Sequence, residues 1–193
     1  MIIDISQEVF SCNVYPGDPV PERRHIYNIG QGDVCNLTAF SMCAHNGTHV
    51  DAPYHFLNDA ETIDQISLEH FVGHCYVARC QGDLTAKDAA GILEKARAVE
   101  ASERILIAGN ATVTADAAYV FAGAGLKLIG NESQTIGPEG APMEVHIILL
   151  DAGVVLLEGI VLTDVEEGKY LLSAAPLNLA GCDGAPCRAF LMR

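Results

Sequence analysis

Apolar and polar positions along the chain follow two kinds of pattern, amphipathic stretches and short apolar runs. The amphipathic stretches predict helices at 85–98, 114–125 and 142–153, with Thr85 and Thr114 as N-caps of the first two. The apolar runs predict strands at 23–30, 34–44, 74–80, 104–109, 126–130 and 154–162, and the mixture of apolar and small polar residues at 34–44 predicts a partly buried strand. A first strand at the N-terminus and two closing strands, within 170–179 and 187–193, complete the pattern.

The order of these elements predicts an α/β fold. Strands alternate with helices in the middle of the chain, whereas strands follow one another at both ends. We therefore expect a mixed sheet that is partly antiparallel. No repeat, low-complexity tract or linker interrupts the pattern, so residues 1–193 are predicted to form a single domain.

The net charge of the chain argues against some classes of binding partner. The chain has 11 basic and 25 acidic residues, a formal net charge of −14. Such a surface repels phosphate backbones and anionic lipids and attracts cations, so we expect a small-molecule substrate and no nucleic-acid or membrane partner. No apolar run is long enough to span a bilayer, and the N-terminus is not basic like a signal peptide. Seven cysteines without a Cys-x-x-Cys pair are typical of reduced thiols in the cytoplasm.

The segment HNGTHVDAPYHF, residues 45–56, concentrates the candidate chemistry. Gly47 and Pro53 argue against a helix here. In an extended chain, His49 and Asp51 point to the same side, because side chains repeat every two residues. The Asn46–Gly47 turn can fold His45 back beside them. Two imidazoles and a carboxylate around one point are typical ligands of a divalent metal.

This segment resembles the His-x-Gly-Thr-His-x-Asp-x-Pro-x-His motif of the metal-dependent cyclase family, which includes bacterial kynurenine formamidases and isatin hydrolases. Two other landmarks of that family are matched. A histidine and a glutamate twelve residues apart correspond to His146 and Glu158, and YPGDP at 15–19 resembles its Trp-Pro-Gly-Asp segment.

The resemblance implies a swivelling β/β/α fold, a homo-oligomer and one or two divalent ions, zinc or manganese. It also implies that the metal ligands are His45, His49, Asp51, His146 and Glu158. In the family's pattern His55 is the proton donor and acceptor, and Tyr15 takes the place of a substrate-stacking tryptophan. The expected activity is hydrolysis of an amide or cyclic amide by a metal-bound hydroxide, as in arylformamidases, because a metal lowers the pKa of water from about 15.7 towards 7.

Two departures from the family leave alternatives open. The chain has no tryptophan, and Gly130-Asn131-Glu132 stands where formamidases commonly have glycine, an apolar residue and aspartate. The loop 131–141 is expected to line the substrate pocket, so a lactone or another acyl compound is an alternative substrate. A metal-assisted cyclase or dehydratase is the first rival function. A metal-binding protein without catalysis is the second, and the presence of His55 argues against it.

Overall fold

Thirteen short strands and three helices form the chain in a computed structural model that describes residues 1–193. In chain order the strands are β1 (Ile2–Asp4), β2 (Glu22–Tyr27), β3 (Leu37–Ser41), β4 (His49–Asp51), β5 (Val72–Arg79), β6 (Gly82–Leu84), β7 (Arg104–Ala108), β8 (Ala111–Val113), β9 (Leu128–Asn131), β10 (Val155–Glu158), β11 (Gly168–Ser173), β12 (Gly184–Pro186) and β13 (Phe190–Met192). The helices are α1 (Ala86–Ala98), α2 (Ala115–Ala122) and α3 (Met143–Asp151).

Nine of the strands form one mixed sheet, in the order β1-β13-β11-β5-β7-β9-β10-β4-β12. The four strands β5, β7, β9 and β10 run parallel at its centre. The strands on either side pair antiparallel. This arrangement confirms the predicted α/β class with a mixed sheet.

The helices begin where the sequence predicts. Thr85 and Thr114 accept hydrogen bonds from the backbone N–H groups of Asp88 and Ala117, which would otherwise lack partners at the helix starts. The third helix begins directly after Pro142. None of the three helices has the length and apolarity needed to cross a membrane.

The sheet has an apolar core on each face, because successive strand side chains point to opposite sides. Along β10, Leu156 packs into the core beneath the three helices, and Val155 and Leu157 pack into the core on the other face. Parallel strands buried on both faces are expected to be continuously apolar, as this strand is. Glu158 ends that apolar run and is itself buried.

Three details differ from the predictions. The strand predicted at 34–44 was expected to be partly buried, but β2 and β3 pair only with each other, and every residue in both strands is exposed. Three strands rather than two close the chain, since β12 precedes β13. A small parallel pair, β6 with β8, was not predicted, because three-residue strands carry too little pattern to be recognised.

Candidate metal centre

The strand β4 carries two site residues into the interior and aligns them with a third. It lies between β10 and β12 and pairs antiparallel with both. His49 and Asp51 share one face of β4, and Glu158 of β10 lies directly opposite His49. Gly184 of β12 lies opposite Asp51, where a Cβ atom would approach His45 Cε1 to 2.8 Å. The missing side chain at Gly184 therefore makes room for His45.

The turn before β4 brings His45 back towards the strand. Asn46 Oδ1 accepts a hydrogen bond from the backbone N–H of Cys43, and Gly47 has a φ of 63°. A Cβ atom on Gly47 would come within 2.9 Å of Cys12 Cβ, so both the backbone conformation and the space require glycine.

Two further histidines come from the elements on either side of the cavity. His55 lies in the single helical turn Pro53–His55 that follows β4, and its ring stacks on that of His45 with centroids 4.0 Å apart. His146 lies on the buried face of α3 beside Val145 and Leu149. The helix therefore directs the His146 imidazole towards the β4–β10 edge of the sheet.

All five metal ligands implied by the family resemblance converge. Asp51 and Glu158 lie at the centre, and the three imidazoles surround them. The nitrogen–oxygen distances are 2.8 Å for His45 Nδ1–Asp51 Oδ1, 3.4 Å for His49 Nε2–Asp51 Oδ1, 3.5 Å for His49 Nε2–Glu158 Oε2, 3.6 Å for His146 Nε2–Asp51 Oδ2 and 3.2 Å for His146 Nε2–Glu158 Oε1.

Backbone carbonyls determine which nitrogen of two histidines faces the centre. His49 Nδ1 lies 3.0 Å from the carbonyl oxygen of Gly47, and His146 Nδ1 lies 2.9 Å from that of Pro142. A carbonyl oxygen can only accept, so each Nδ1 carries a hydrogen, and in the neutral ring the lone pair is on Nε2, which faces the centre. Metal-binding histidines are commonly oriented by hydrogen bonds of this kind.

Carboxylates alter the protonation of the imidazoles. Burial disfavours the charged form of each ring, but hydrogen bonds to Asp183 and Asp51 outweigh it and raise the pKa of His45 to about 11. Bonds to Asp51 and Glu158 likewise raise the pKa of His49 to about 9 against the effect of burial. A cation bound here would therefore replace protons rather than enter an empty neutral site.

The pKa values of Asp51, Asp183 and His55 are lowered rather than raised. Although burial acts the other way, bonds to His45 and His49 hold the pKa of Asp51 well below its ordinary value. The bond from His45 lowers the pKa of Asp183 to about 2. The pKa of His55 is lowered, chiefly by burial, so this ring is neutral near pH 7.

A cavity of about 320 Å³ opens onto the cluster. Its wall includes four of the histidines, Glu158 and Tyr15, whose hydroxyl donates to the carbonyl oxygen of Glu139 at 3.0 Å. Gln134 and Thr135 also line it, so the loop 131–141 reaches the cavity as the sequence predicted. This cavity therefore gives a small organic molecule access to the side chains of the cluster that line it.

The donor set fits a divalent cation. Asp51 is 1% exposed, and its Oδ2 is buried without a hydrogen-bond partner, an arrangement that is costly for a carboxylate unless a cation satisfies it. Candidate ligand atoms lie within 4.8 Å of one another in two groups that share Asp51: one with His49 and Glu158, the other with His45 and His55. His55 is thus near enough to be a ligand as well as a proton carrier.

Sequence reasoning missed three residues at this site. Asp183, in the turn before β12, bonds His45 Nε2 at 2.8 Å and His55 Nδ1 at 3.2 Å. Its only local signal is an Asp-Gly turn, and nothing in the sequence relates it to histidines about 130 positions earlier. Gln134 and Thr135 were placed in a pocket-lining loop but not singled out. The three remaining histidines, His25, His70 and His74, lie outside the site.

Known proteins share both the sequence and the fold. Residues 3–138 match the family model described as putative cyclase. A kynurenine formamidase from Salinibacter ruber is 34% identical over 212 aligned residues, covering 98% of this chain and 96% of that protein. The structure of a potential metal-dependent hydrolase with cyclase activity superposes with a TM-score of 0.81 at 27% identity, covering 99% of this chain and 96% of the other.

A more distant structure supports the fold alone. Isatin hydrolase A from Labrenzia aggregata, bound to benzyl benzoate, has a TM-score of 0.83 at 21% identity, covering 100% of this chain and 93% of that one. The family match spans more than half of the chain, and the formamidase match spans nearly all of it. Both confirm the resemblance carried by residues 45–56. The chain therefore belongs to the putative cyclase family.

Proposed function

We propose that this chain is a metal-dependent hydrolase that cleaves an amide or cyclic amide, with N-aryl formamides as the first substrates to test. The observation that carries the proposal is the convergence of three imidazoles on two buried carboxylates, one of them with an unpartnered oxygen. The kynurenine formamidase relative, matched over nearly its whole length, supports the same class of reaction.

The cation would be held by His45, His49, Asp51, His146 and Glu158. We propose zinc or manganese, as one or two ions, because nitrogen and carboxylate ligands suit both. When bound, a divalent ion polarises a carbonyl group and lowers the pKa of water, which makes hydrolysis feasible at neutral pH. The two carboxylates balance only part of the charge of two dications.

We propose that His55 moves the proton. The Asp183 carboxylate can only accept a hydrogen bond, so Nδ1 of His55 carries the hydrogen and Nε2 is free. Because burial lowers its pKa, the ring is neutral near pH 7 and can take a proton from water. It can then donate that proton to the departing amine nitrogen. Asp183 acts here as a positioning residue, because it touches His55 and not the reacting atoms.

Tyr15 supplies an aromatic wall for the substrate ring. Tyr15 lines the cavity beside the cluster, and its hydroxyl donates a hydrogen bond to the carbonyl oxygen of Glu139, which fixes the direction of the side chain. We expect Tyr15→Ala to raise the KM of aryl formamides several-fold, whereas Tyr15→Phe keeps the ring and should stay close to the parent. Unchanged KM values in Tyr15→Ala for every substrate would remove Tyr15 from the pocket.

The activity is tested by removing metal with a chelator, reloading with zinc or manganese, and assaying N-formylaniline and isatin. Hydrolysis adds one water, so mass spectrometry should find aniline and formate, or the ring-opened acid. His49→Ala, which lacks one ligand, is the control for metal dependence. The proposal fails if the reloaded protein hydrolyses no amide. Products lighter than the substrate by one water would identify a dehydratase or cyclase instead.

We also propose that residues 1–193 act as a single domain in a cytoplasmic homo-oligomer. The hairpin of β2 and β3 supports association, because Tyr27 and Phe40 are 47% and 61% exposed on it, and exposed apolar patches often mark interfaces. All seven cysteines are free thiols, which supports a reducing compartment. Sedimentation analysis of the parent and of Phe40→Asp tests the association; a monomeric parent would contradict it.

A further inference from the structure

The loop that follows β9 is attached to the chain directly after Glu158. Its first residues accept two backbone hydrogen bonds from that segment. The N–H of Gly159 donates to the carbonyl oxygen of Ser133 at 2.7 Å, and the N–H of Ile160 donates to that of Asn131 at 3.2 Å. The position of this loop is therefore coupled to the position of a residue of the metal centre.

One backbone N–H of this loop fixes the orientation of the Glu158 carboxylate. The N–H of Ile136 donates to Oε1 at 2.7 Å, and the same oxygen lies 3.2 Å from Nε2 of His146. The other oxygen, Oε2, lies 3.5 Å from Nε2 of His49. The last torsion of a glutamate side chain has no sharply preferred value, so an unrestrained carboxylate can rotate. The bond from Ile136 holds the two oxygens where each faces a different histidine.

The side chain of Asn131 holds the opposite end of the same peptide group. Asn131 is the last residue of β9 and is 1% exposed. Its Nδ2 donates to the carbonyl oxygen of Thr135 at 2.9 Å, and this carbonyl shares a peptide bond with the N–H of Ile136. A trans peptide group is planar, and its C=O and N–H point in opposite directions. Fixing the oxygen therefore fixes the direction in which the N–H points, which is towards Glu158.

The Asn131 amide contributes little net stability. Its Oδ1 is buried without a hydrogen-bond partner, which costs free energy, whereas its Nδ2 makes one hydrogen bond. A leucine has a similar shape and would remove the unpartnered oxygen, but it would leave the Thr135 carbonyl without its donor. These two effects have opposite signs and similar size. What the asparagine adds is the direction of one peptide group.

We propose that Asn131 is a positioning residue of the metal centre. Through the peptide group of Thr135 and Ile136 it directs an N–H at Glu158 and keeps that carboxylate oriented to bind a cation. Asn131 lines neither of the cavities near the cluster and acts only through this peptide group. The inference rests on the proposed metal centre for its affinity test, but not for its hydrogen-exchange test.

The affinity test compares zinc binding by the parent and by Asn131→Leu. The dissociation constant of zinc, measured in competition with a chromophoric chelator, should rise about tenfold, because hydrogen-bond partners of ligating carboxylates tune metal affinity. The melting temperature of the metal-free variant should stay within about 3 °C of the parent. A purely structural residue would not weaken zinc binding at unchanged stability. Asn178→Leu, the same substitution at an exposed asparagine, is the control and should change neither value.

Amide hydrogen exchange tests the positioning without any metal. In the metal-free parent, the N–H of Ile136 is buried and bonded to Glu158, so NMR should find it protected from exchange. In Asn131→Leu this N–H should exchange about fivefold faster, as expected when one hydrogen bond is weakened. Exchange at Ile92, in the buried face of α1, should be the same in both proteins.

The outcomes distinguish this inference from the proposed function. A parent that binds no zinc would refute the proposed metal centre, and exchange at Ile136 alone would then decide the role of Asn131. Unchanged zinc affinity in a parent that does bind, or unchanged exchange at Ile136, would overturn the inference. If Asn131→Leu does not fold, Asn131→Ala removes the same donor without a branched side chain. Failure of both variants to fold would make Asn131 a structural residue and would also overturn the inference.

Discussion

Replacing His55 with alanine should remove most of the turnover and leave the metal in place. The ring bonds Asp183 through Nδ1 and stacks on His45, whereas the five implied ligands contact one another without it. General acid–base catalysis contributes about 10²–10⁴-fold, so kcat should fall by that factor, which is about 2.7–5.4 kcal/mol at 1.36 kcal/mol per tenfold.

The cost to stability should be small. The His55 side chain is 27% exposed, and its one hydrogen bond to Asp183 is also partly exposed. A bond of this kind contributes about 0.5–1.5 kcal/mol, so the free energy of unfolding should fall by roughly 1 kcal/mol. A variant that stays folded but turns over at least a hundredfold more slowly would separate chemistry from structure.

The assay pairs steady-state kinetics with metal analysis on the same preparation. His25→Ala, a change at an exposed histidine of β2, is the control for losing an imidazole. His49→Ala is the control for opening the ligand shell. Loss of metal from His55→Ala would make His55 a ligand, as its proximity to His45 and Asp51 allows. Retention of both metal and full turnover would refute its role in proton transfer.

Two further predictions follow from the surroundings of the cluster. Despite burial, carboxylates raise the pKa of His45 to about 11 and that of His49 to about 9. Both rings are therefore in the doubly protonated, cationic form at pH 7.5 in the metal-free protein. Metal binding should release about two protons and tighten as pH rises; an enthalpy that is identical in buffers of different ionisation enthalpy would contradict this. Gly159 has a φ of 65°, and a Cβ there would lie 2.3 Å from the Gly47 carbonyl oxygen that orients His49. Gly159→Ala should therefore lower the free energy of unfolding by more than the ~1–3 kcal/mol of backbone strain alone. Gly153→Ala, with a φ of 75° and no atom within 4 Å of the added Cβ, is the matched control in urea unfolding; equal losses in the two variants would show that the contact is unimportant.

Local pattern was sufficient for the helices and for half of the site. The caps of α1 and α2 depend on side chains within three residues of each other, and these were predicted from the sequence. The same is true of His49 and Asp51, because a two-residue repeat places them on one face whatever the strand pairs with. The elements and the first candidate ligands could therefore be assigned before the fold was known.

Long-range pairing could not be assigned in that way. The register that sets Glu158 opposite His49 joins positions more than a hundred residues apart, and only the family resemblance linked them in advance. Asp183 reaches the cluster because β12 pairs with β4, and no motif marked it. The exposure of β3 was missed because its mixture of apolar and small polar residues looks the same in a covered strand and in an exposed one.

The central claim, that the five convergent side chains hold a divalent cation, is tested most directly by anomalous diffraction from crystals loaded with zinc. We expect a peak bonded to His49 Nε2 and to a carboxylate oxygen of Asp51 at about 2.0–2.2 Å, with Glu158 and a further histidine completing the shell. A zinc-loaded crystal with no anomalous peak within bonding distance of Asp51 would contradict the account.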